Sequence, residues 1–516
     1  MSFRHLQATV AFLTFLFGTH SAAQAEAAEP SGLQGRRPNI IFILTDDQGY
    51  AQLGCEGHPW LETPHIDQLR REGLAFTDFQ VSPTCSPTRS ALMTGNVPFK
   101  NGVTHTGGGR DRMALSAVTL PELLKKQGYA TGIFGKWHLG DEEAYQPGSR
   151  GFDEVFIHGS GGIGQPDDTL GRAAKTSTPA KPGEELLPRK NTYEDPVLRH
   201  NGTFVKTKGF CTDVFFSQAL SWIKDHRDKP FFAYIPTNAP HSPYIAPKDR
   251  REKFAAYGLN RDQQGFYGMI ENIDDNVGRL MDFLQKWDLD RDTLVIFMSD
   301  NGAVPLVKHP MQNCSRNGEP LQAYDGGLKG HKKTPHEGGT LVPAIFRWKG
   351  VLPEGAESAA LTAHIDLLPT LVALAGGDVP RKIDGKSLTP LLENPAAAWP
   401  DRTLFFHIGR WKWGAEPNHS KYDKDAGFAV RNARYRLVNN EELYDVLADR
   451  GETTNLIVQK PEIAKAMSQA YDAWWDEVRP LMVNEGPLDR APNPFHDKFE
   501  QQLNSTGIPA WEEPVL

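Results

Sequence analysis

Short apolar runs alternate with helix-period stretches from Pro38 to about Gly377, a pattern that predicts an α/β layer fold. Residues 39–44, Asn-Ile-Ile-Phe-Ile-Leu, form a continuous apolar run and predict a strand buried on both faces. Thr63-Pro64 opens a predicted helix with a cap and a first-turn proline, and Gly73 closes it. The same grammar recurs from Thr119 to Gly128. Further strands are predicted at 128–134, 230–235, 293–298 and 341–346. Between them, Phe266, Met269, Ile270, Ile273, Val277, Leu280, Met281 and Leu284 keep helical spacing, so 266–287 reads as a long helix with one buried face.

After Gly377 the pattern changes. Residues 403–408, 428–431, 435–438 and 443–445 read as short strands close in sequence, which suits an antiparallel sheet. A helix over 461–478, with Tyr471, Trp474 and Trp475 inward, would cover it. These elements predict a catalytic domain over 38–385, a smaller C-terminal α+β domain over 400–480, and a proline-rich tail over 481–516 that wraps the surface.

Composition narrows the function. A chain of 516 residues is too long for one core, in keeping with two domains. A net charge of −8 argues against nucleic acid as partner and requires any anionic substrate to meet locally gathered positive charge. Arg4 and His5, an apolar stretch from Ala8 to Gly18, and Ala23-Gln24-Ala25 together read as a signal peptide over 1–25. The apolar stretch is too short to span a bilayer, so the mature chain is expected to be exported without a membrane anchor, periplasmic or secreted. Four cysteines, Cys55, Cys85, Cys211 and Cys314, are too few for a disulfide scaffold.

In open α/β sheets, ligands collect beyond the carboxyl ends of the strands. Here the predicted strands run into Asp46-Asp47, Lys136-Trp-His138, Asn238-Ala-Pro-His241 and Asp300-Asn301. Three carboxylates and an amide, all oxygen donors, suit a hard divalent cation such as Ca²⁺ or Mg²⁺. Cys85 lies among Ser, Pro and Thr just before a short helix pattern, where helix N–H groups can face an anion.

Cys85, Pro87 and Arg89 form a Cys-x-Pro-x-Arg pattern that resembles the signature of type I sulfatases, whose cysteine is oxidised to formylglycine. The resemblance extends through 38–47, 135–140, 239–241, 299–302, Glu337-Gly-Gly and 443–456, in the family's order. It implies an alkaline-phosphatase-like mixed sheet flanked by helices, and hydrolysis of sulfate monoesters. It also implies one calcium ion held by Asp46, Asp47, Asp300, Asn301 and the modified Cys85, with Arg89 holding that side chain. Lys136, His241 and Lys332 would bind sulfate oxygens, and His138 would move a proton at the formylglycine hydroxyls. Lys332 is selected by its spacing to Glu337, with Lys329 and Lys333 close by. The family usually has glycine where this chain has Lys333, and arginine where it has Asn96. The implied partners are a sulfated small molecule or carbohydrate and a formylglycine-generating enzyme.

Two other readings share these residues. One is a phosphonate or phosphodiester hydrolase on the same fold, and the other is a non-catalytic, calcium-dependent glycan-binding protein with Cys85 left as a thiol. In the segment from Gly409 to Gly414, Trp411 or Trp413 could be a platform for a sugar ring, with Arg410 or Lys412 meeting a second anionic group. Equally, both tryptophans could anchor the loop to the core.

Overall fold

The computed structural model describes residues 32–165, 168, 191–379, 381–411, 424–484 and 493–516. The predicted signal peptide, Lys412 and Trp413 lie outside them. Ten strands form the main sheet: β1 (Asn39–Thr45), β2 (Leu74–Phe76), β3 (Ala130–Lys136), β4 (Glu154–His158), β5 (Val197–His200), β6 (Thr203–Lys206), β7 (Phe231–Pro236), β8 (Thr293–Ser299), β9 (Ala344–Arg347) and β10 (Ala356–Ser358). Their spatial order is β10-β2-β9-β8-β1-β7-β3-β4-β5-β6. The five strands β8, β1, β7, β3 and β4 run parallel, and antiparallel pairs continue on each side. The central four are buried along their whole length, as continuous apolar runs require.

Alternation along β1 divides the core between two helical layers. Ile41 and Ile43 pack with Met269, Ile273 and Val277 of a long helix (Arg261–Lys286), and with Phe215 and Leu220 of another (Cys211–His226). Ile40, Phe42 and Leu44 face Leu92 and Met93 of the helix Cys85–Thr94, and Leu123 and Leu124 of Leu120–Lys126. The long helix begins earlier than its apolar period suggests. Asn260 caps it, accepting from the Gln263 amide at 3.0 Å, and its first turn is polar. The predicted strand at 341–346 is β9, which starts only after Pro343.

The C-terminal strands form a separate antiparallel sheet in sequence order: β11 (Leu404–His407), β12 (Phe428–Arg431), β13 (Tyr435–Val438) and β14 (Glu442–Asp445). The helix Pro461–Val478 covers it, with the Tyr471 ring stacked on Phe428 at 3.8 Å between centroids. The tail is not irregular throughout. A helix, Pro494–Ser505, sets Phe495 and Phe499 against Phe204 of β6, and the Lys206 amide donates to the Pro509 carbonyl at 2.9 Å. None of the four cysteines is in a disulfide. Among the described residues no helix is long and apolar enough to cross a membrane.

Candidate active site

The ends of β8, β1, β7 and β3 are neighbours in the sheet, so their polar extensions meet at one edge. Asp300 and Asn301 follow β8, Asp46 and Asp47 follow β1, His241 lies beyond β7, and Lys136 ends β3 with His138 just after it. Asp47 and His138 both take left-handed backbone, at φ 72° and 61°, where each chain leaves its strand. Cys85 enters from a different element, as the first residue of its helix, and is 2% exposed.

Paired charges hold the centre. Lys136 Nζ donates to Asp46 Oδ2 at 2.5 Å, and Lys332 Nζ lies 2.6 Å from Asp47 Oδ1. Arg89 donates from Nε and Nη2 to Asp300 Oδ2 at 3.1 and 2.7 Å, and from Nη1 to the Lys136 carbonyl at 3.1 Å. Burial alone would raise Asp47, but the Lys332 ammonium holds it well below the usual carboxylate range. Burial and the Asp46 charge push Asp300 up to about 6. Burial also pushes the Cys85 thiol up, against the pull of Lys136 and Lys332.

Two oxygens are left over. Asp46 Oδ1 and Asn301 Oδ1 are buried without a hydrogen-bond partner among the described residues. Asn301 is oriented this way because its Nδ2 donates to Asp47 Oδ1 at 2.8 Å and to the Gly302 carbonyl at 3.0 Å. Asp46, Cys85 and Asp300 offer ligand atoms within 4.8 Å of one another, and Asp46, Asp47 and His241 do the same. Orphaned buried acceptors in an acidic cluster are costly unless a cation meets them, so these residues fit a hard divalent ion.

The two histidines differ. His138 Nε2 faces the Thr106 carbonyl at 3.1 Å, which can only accept, so Nε2 carries the proton and Nδ1, buried without a partner among the described residues, is free to accept one. Burial, then Lys136 and Arg89, hold its pKa well below the ordinary imidazole value. His241 Nδ1 donates to the Ser242 carbonyl at 2.7 Å, leaving Nε2 facing Asp47 Oδ2 at 3.6 Å. Burial and Lys332 push His241 down to about 3.

The three candidate lysines separate cleanly. Lys332 is buried against Asp47, whereas Lys329 turns to the small domain, donating to Tyr444 at 2.6 Å and Glu442 at 3.0 Å, and Lys333 is exposed. Gly302 makes the Lys332 loop possible, since a Cβ there would meet the Gly338 carbonyl at 2.0 Å. Asn96 makes a local bond, its Nδ2 donating to the Thr94 carbonyl at 3.2 Å. Trp411 is not a platform. It is 6% exposed, with its ring 5.7 Å from Phe99 and 6.0 Å from Trp475. Its neighbour Arg410 does approach the site, together with the loop that carries Thr104 and Thr106. Nothing in local sequence marks that loop, because long-range backbone contacts bring it in.

A sheet of this order gathers acids, lysines and a helix-start cysteine at one edge, a set of groups that fits a divalent cation and an anionic ester. The sulfatase family profile matches residues 38–377, and a profile described as N-sulphoglucosamine sulphohydrolase, C-terminal, matches 331–475. Human N-acetylgalactosamine-6-sulfatase is 36% identical over 392 residues, 72% of this chain and 68% of that protein. Human arylsulfatase A is 32% identical over 473 residues, 84% of this chain and 87% of that protein. A solved structure of Ps i-CgsB with k-i-k-neocarrahexaose is 27% identical with a TM-score of 0.69, covering 91% of this chain and 99% of that one. The chain belongs to the sulfatase family, has its alkaline-phosphatase-like fold, and is a sulfuric ester hydrolase.

Proposed function

We propose that the chain cleaves sulfate monoesters of carbohydrates through a formylglycine made from Cys85 and a calcium ion. Asp46, Asp47, Asp300 and Asn301 would hold the ion together with residue 85. The observation that carries this reading is the pair of orphaned oxygens, Asp46 Oδ1 and Asn301 Oδ1, buried in the acidic cluster that includes the helix-start cysteine. Burial raises the Cys85 thiol pKa, so an unmodified thiol there would stay protonated and be a poor nucleophile, which speaks against a thiol mechanism.

When present, hydrated formylglycine supplies two hydroxyls on one carbon, one to attack sulfur and one whose deprotonation releases sulfate. The calcium would supply charge that lowers the barrier at the ester. The chain's own residues do the rest. Lys136 and Lys332 bind sulfate oxygens from two sides, and His241 joins them. Arg89, fixed by Asp300, orients residue 85. His138 accepts a proton at Nδ1, the nitrogen that its bond to Thr106 leaves free. These cations concentrate the positive charge that a chain of net −8 lacks elsewhere.

The relatives' names support a sulfated carbohydrate as substrate. We assign the catalytic domain to 38–385 and the small domain to 400–480. The N-terminal pattern supports export to the periplasm or beyond, with a formylglycine-generating enzyme as maturation partner. Paired aryl sulfate and aryl phosphonate esters test the reaction class with protein from a maturation-competent host. Sulfate turnover should dominate, and faster phosphonate turnover would overturn the reading.

A further inference from the structure

Two cations at the edge of the site have no role in the chemistry above. Lys333 follows Lys332 and takes left-handed backbone at φ 69°, a conformation that favours glycine. Its amide donates to the Pro83 carbonyl at 2.9 Å, two residues before Cys85. Arg410 comes from the small domain, also at left-handed backbone, φ 58°. Its amide donates to the Thr104 carbonyl at 3.0 Å, and Thr106, two residues on, is the residue that holds His138. The approach is tight enough to require Gly409, since a Cβ there would meet the Thr104 carbonyl at 2.0 Å. Loops from both domains therefore deliver one cation each to the surroundings of residue 85.

Neighbouring cations are matched with acids: Lys332 with Asp47, Lys329 with Glu442, and Arg434 with Asp445. Among the described residues, neither Lys333 nor Arg410 has a side-chain hydrogen bond or an ion pair. The Lys333 charge lies within electrostatic range of Arg410, Lys332 and Cys85, and the Arg410 charge within range of Cys85. Like charges held together without a counterion are unfavourable, and an arriving anion would relieve the repulsion. Lys333 is exposed and Arg410 part-buried, so both are open to a ligand larger than sulfate itself.

We propose that Lys333 and Arg410 form a second anion subsite that selects saccharides bearing a further sulfate or carboxylate beside the ester being cleaved. This rests on the sulfatase reading above and adds the substrate class. The cleaved sulfate already has Lys136, Lys332 and His241, so the outer pair serves a different group. A site built around a polar contact discriminates strongly against ligands that lack it. Selection then acts on the remote part of the substrate, as binding energy spent away from the reacting atoms.

The test uses the mature enzyme and the variants Lys333→Gly, Arg410→Asn and their double, residue types that suit the two backbone conformations. Substrates are an aryl sulfate, a monosulfated disaccharide, and the same disaccharide with either a second sulfate or a uronic carboxylate. In the double variant, kcat/KM on a doubly anionic disaccharide should fall about 30-fold further than on the monosulfated one, with Lys333→Arg retaining most activity. The arm that falls identifies the second group. Equal losses on every substrate, or a wild-type preference for the monosulfated disaccharide, would overturn the subsite alone. No turnover of any sulfate ester by mature wild-type protein would overturn the sulfatase reading and this inference with it.

Discussion

Lys332 and Asp47 meet at 2.6 Å although they come from a loop after β8 and the end of β1. The Lys332 amide is itself tied to the Ala303 carbonyl at 2.7 Å, so the loop is held just beyond Asn301. One contact thus joins the lysine proposed to bind sulfate to a candidate calcium ligand.

Substitution of the three lysines should rank them. Lys332→Ala should lower turnover roughly a hundredfold or more, the scale of a lost oxyanion donor. Lys329→Ala releases the small domain at Tyr444 and Glu442, so it should lower the melting temperature more than the turnover. Lys333→Ala should affect aryl sulfates only mildly. Steady-state kinetics with thermal melts on the three variants check this, and a dead Lys329→Ala with an active Lys332→Ala would reverse the assignment.

Glu337 should couple the two domains. It accepts from Arg436 Nη2 at 2.7 Å, Arg431 Nε at 3.2 Å and Gln80 Nε2 at 3.1 Å. Burial would raise its pKa, but the Arg436 and Arg431 charges bring it from 4.5 down to about 2. A carboxylate with a depressed folded pKa stabilises fully above about pH 4.5, and that contribution is lost as pH falls toward about 2. Glu337→Gln should therefore melt lower at neutral pH and lose less stability on acidification in that window. An unchanged acid limb of the stability curve would contradict the coupling.

Metal removal should act on activity and stability together. Chelation should abolish turnover and lower the melting temperature, and added calcium should restore both. A ligand present at about a hundred times its Kd stabilises by roughly 2.7 kcal/mol. Asn301→Ala removes one orphaned oxygen without stranding a charge, so it is a cleaner probe than Asp300→Ala, which would leave buried Arg89 unpaired. Calcium titration by calorimetry should show weaker binding in Asn301→Ala.

Trp411→Ala should behave as a core truncation. The loss should be about 3–5 kcal/mol, as for other buried aromatics. Turnover of the folded fraction on aryl sulfates and on saccharides should fall in equal proportion. A selective loss on saccharides with an unchanged melting temperature would restore the platform reading.

Strands that are buried on both faces were legible because Asn39–Thr45 and Thr293–Ser299 carry continuous apolar runs with polar residues at their ends. The candidate site residues were read from those ends and from the Cys-x-Pro-x-Arg resemblance. The helix Cys211–His226 was not legible, since Phe215, Phe216, Leu220 and Trp222 bury most of its circumference and blur its period. Strands β5 and β6 are four residues each and join through Asn201-Gly202, too short for a periodicity argument. The Asn260-x-x-Gln263 cap of the long helix lies before the apolar pattern begins, so the period alone placed the helix start too late. Arg410 and Lys333 converge through single backbone bonds to Thr104 and Pro83, which local sequence does not encode.

Peptide mass spectrometry of residue 85, set beside turnover of the same preparations, tests the central claim most directly. Protein from a maturation-competent host should carry the aldehyde at position 85, and sulfate-ester turnover should scale with its fraction across preparations. Cys85→Ala should be inactive while keeping the wild-type fold. Full activity in protein whose Cys85 is wholly an unmodified thiol would contradict the account.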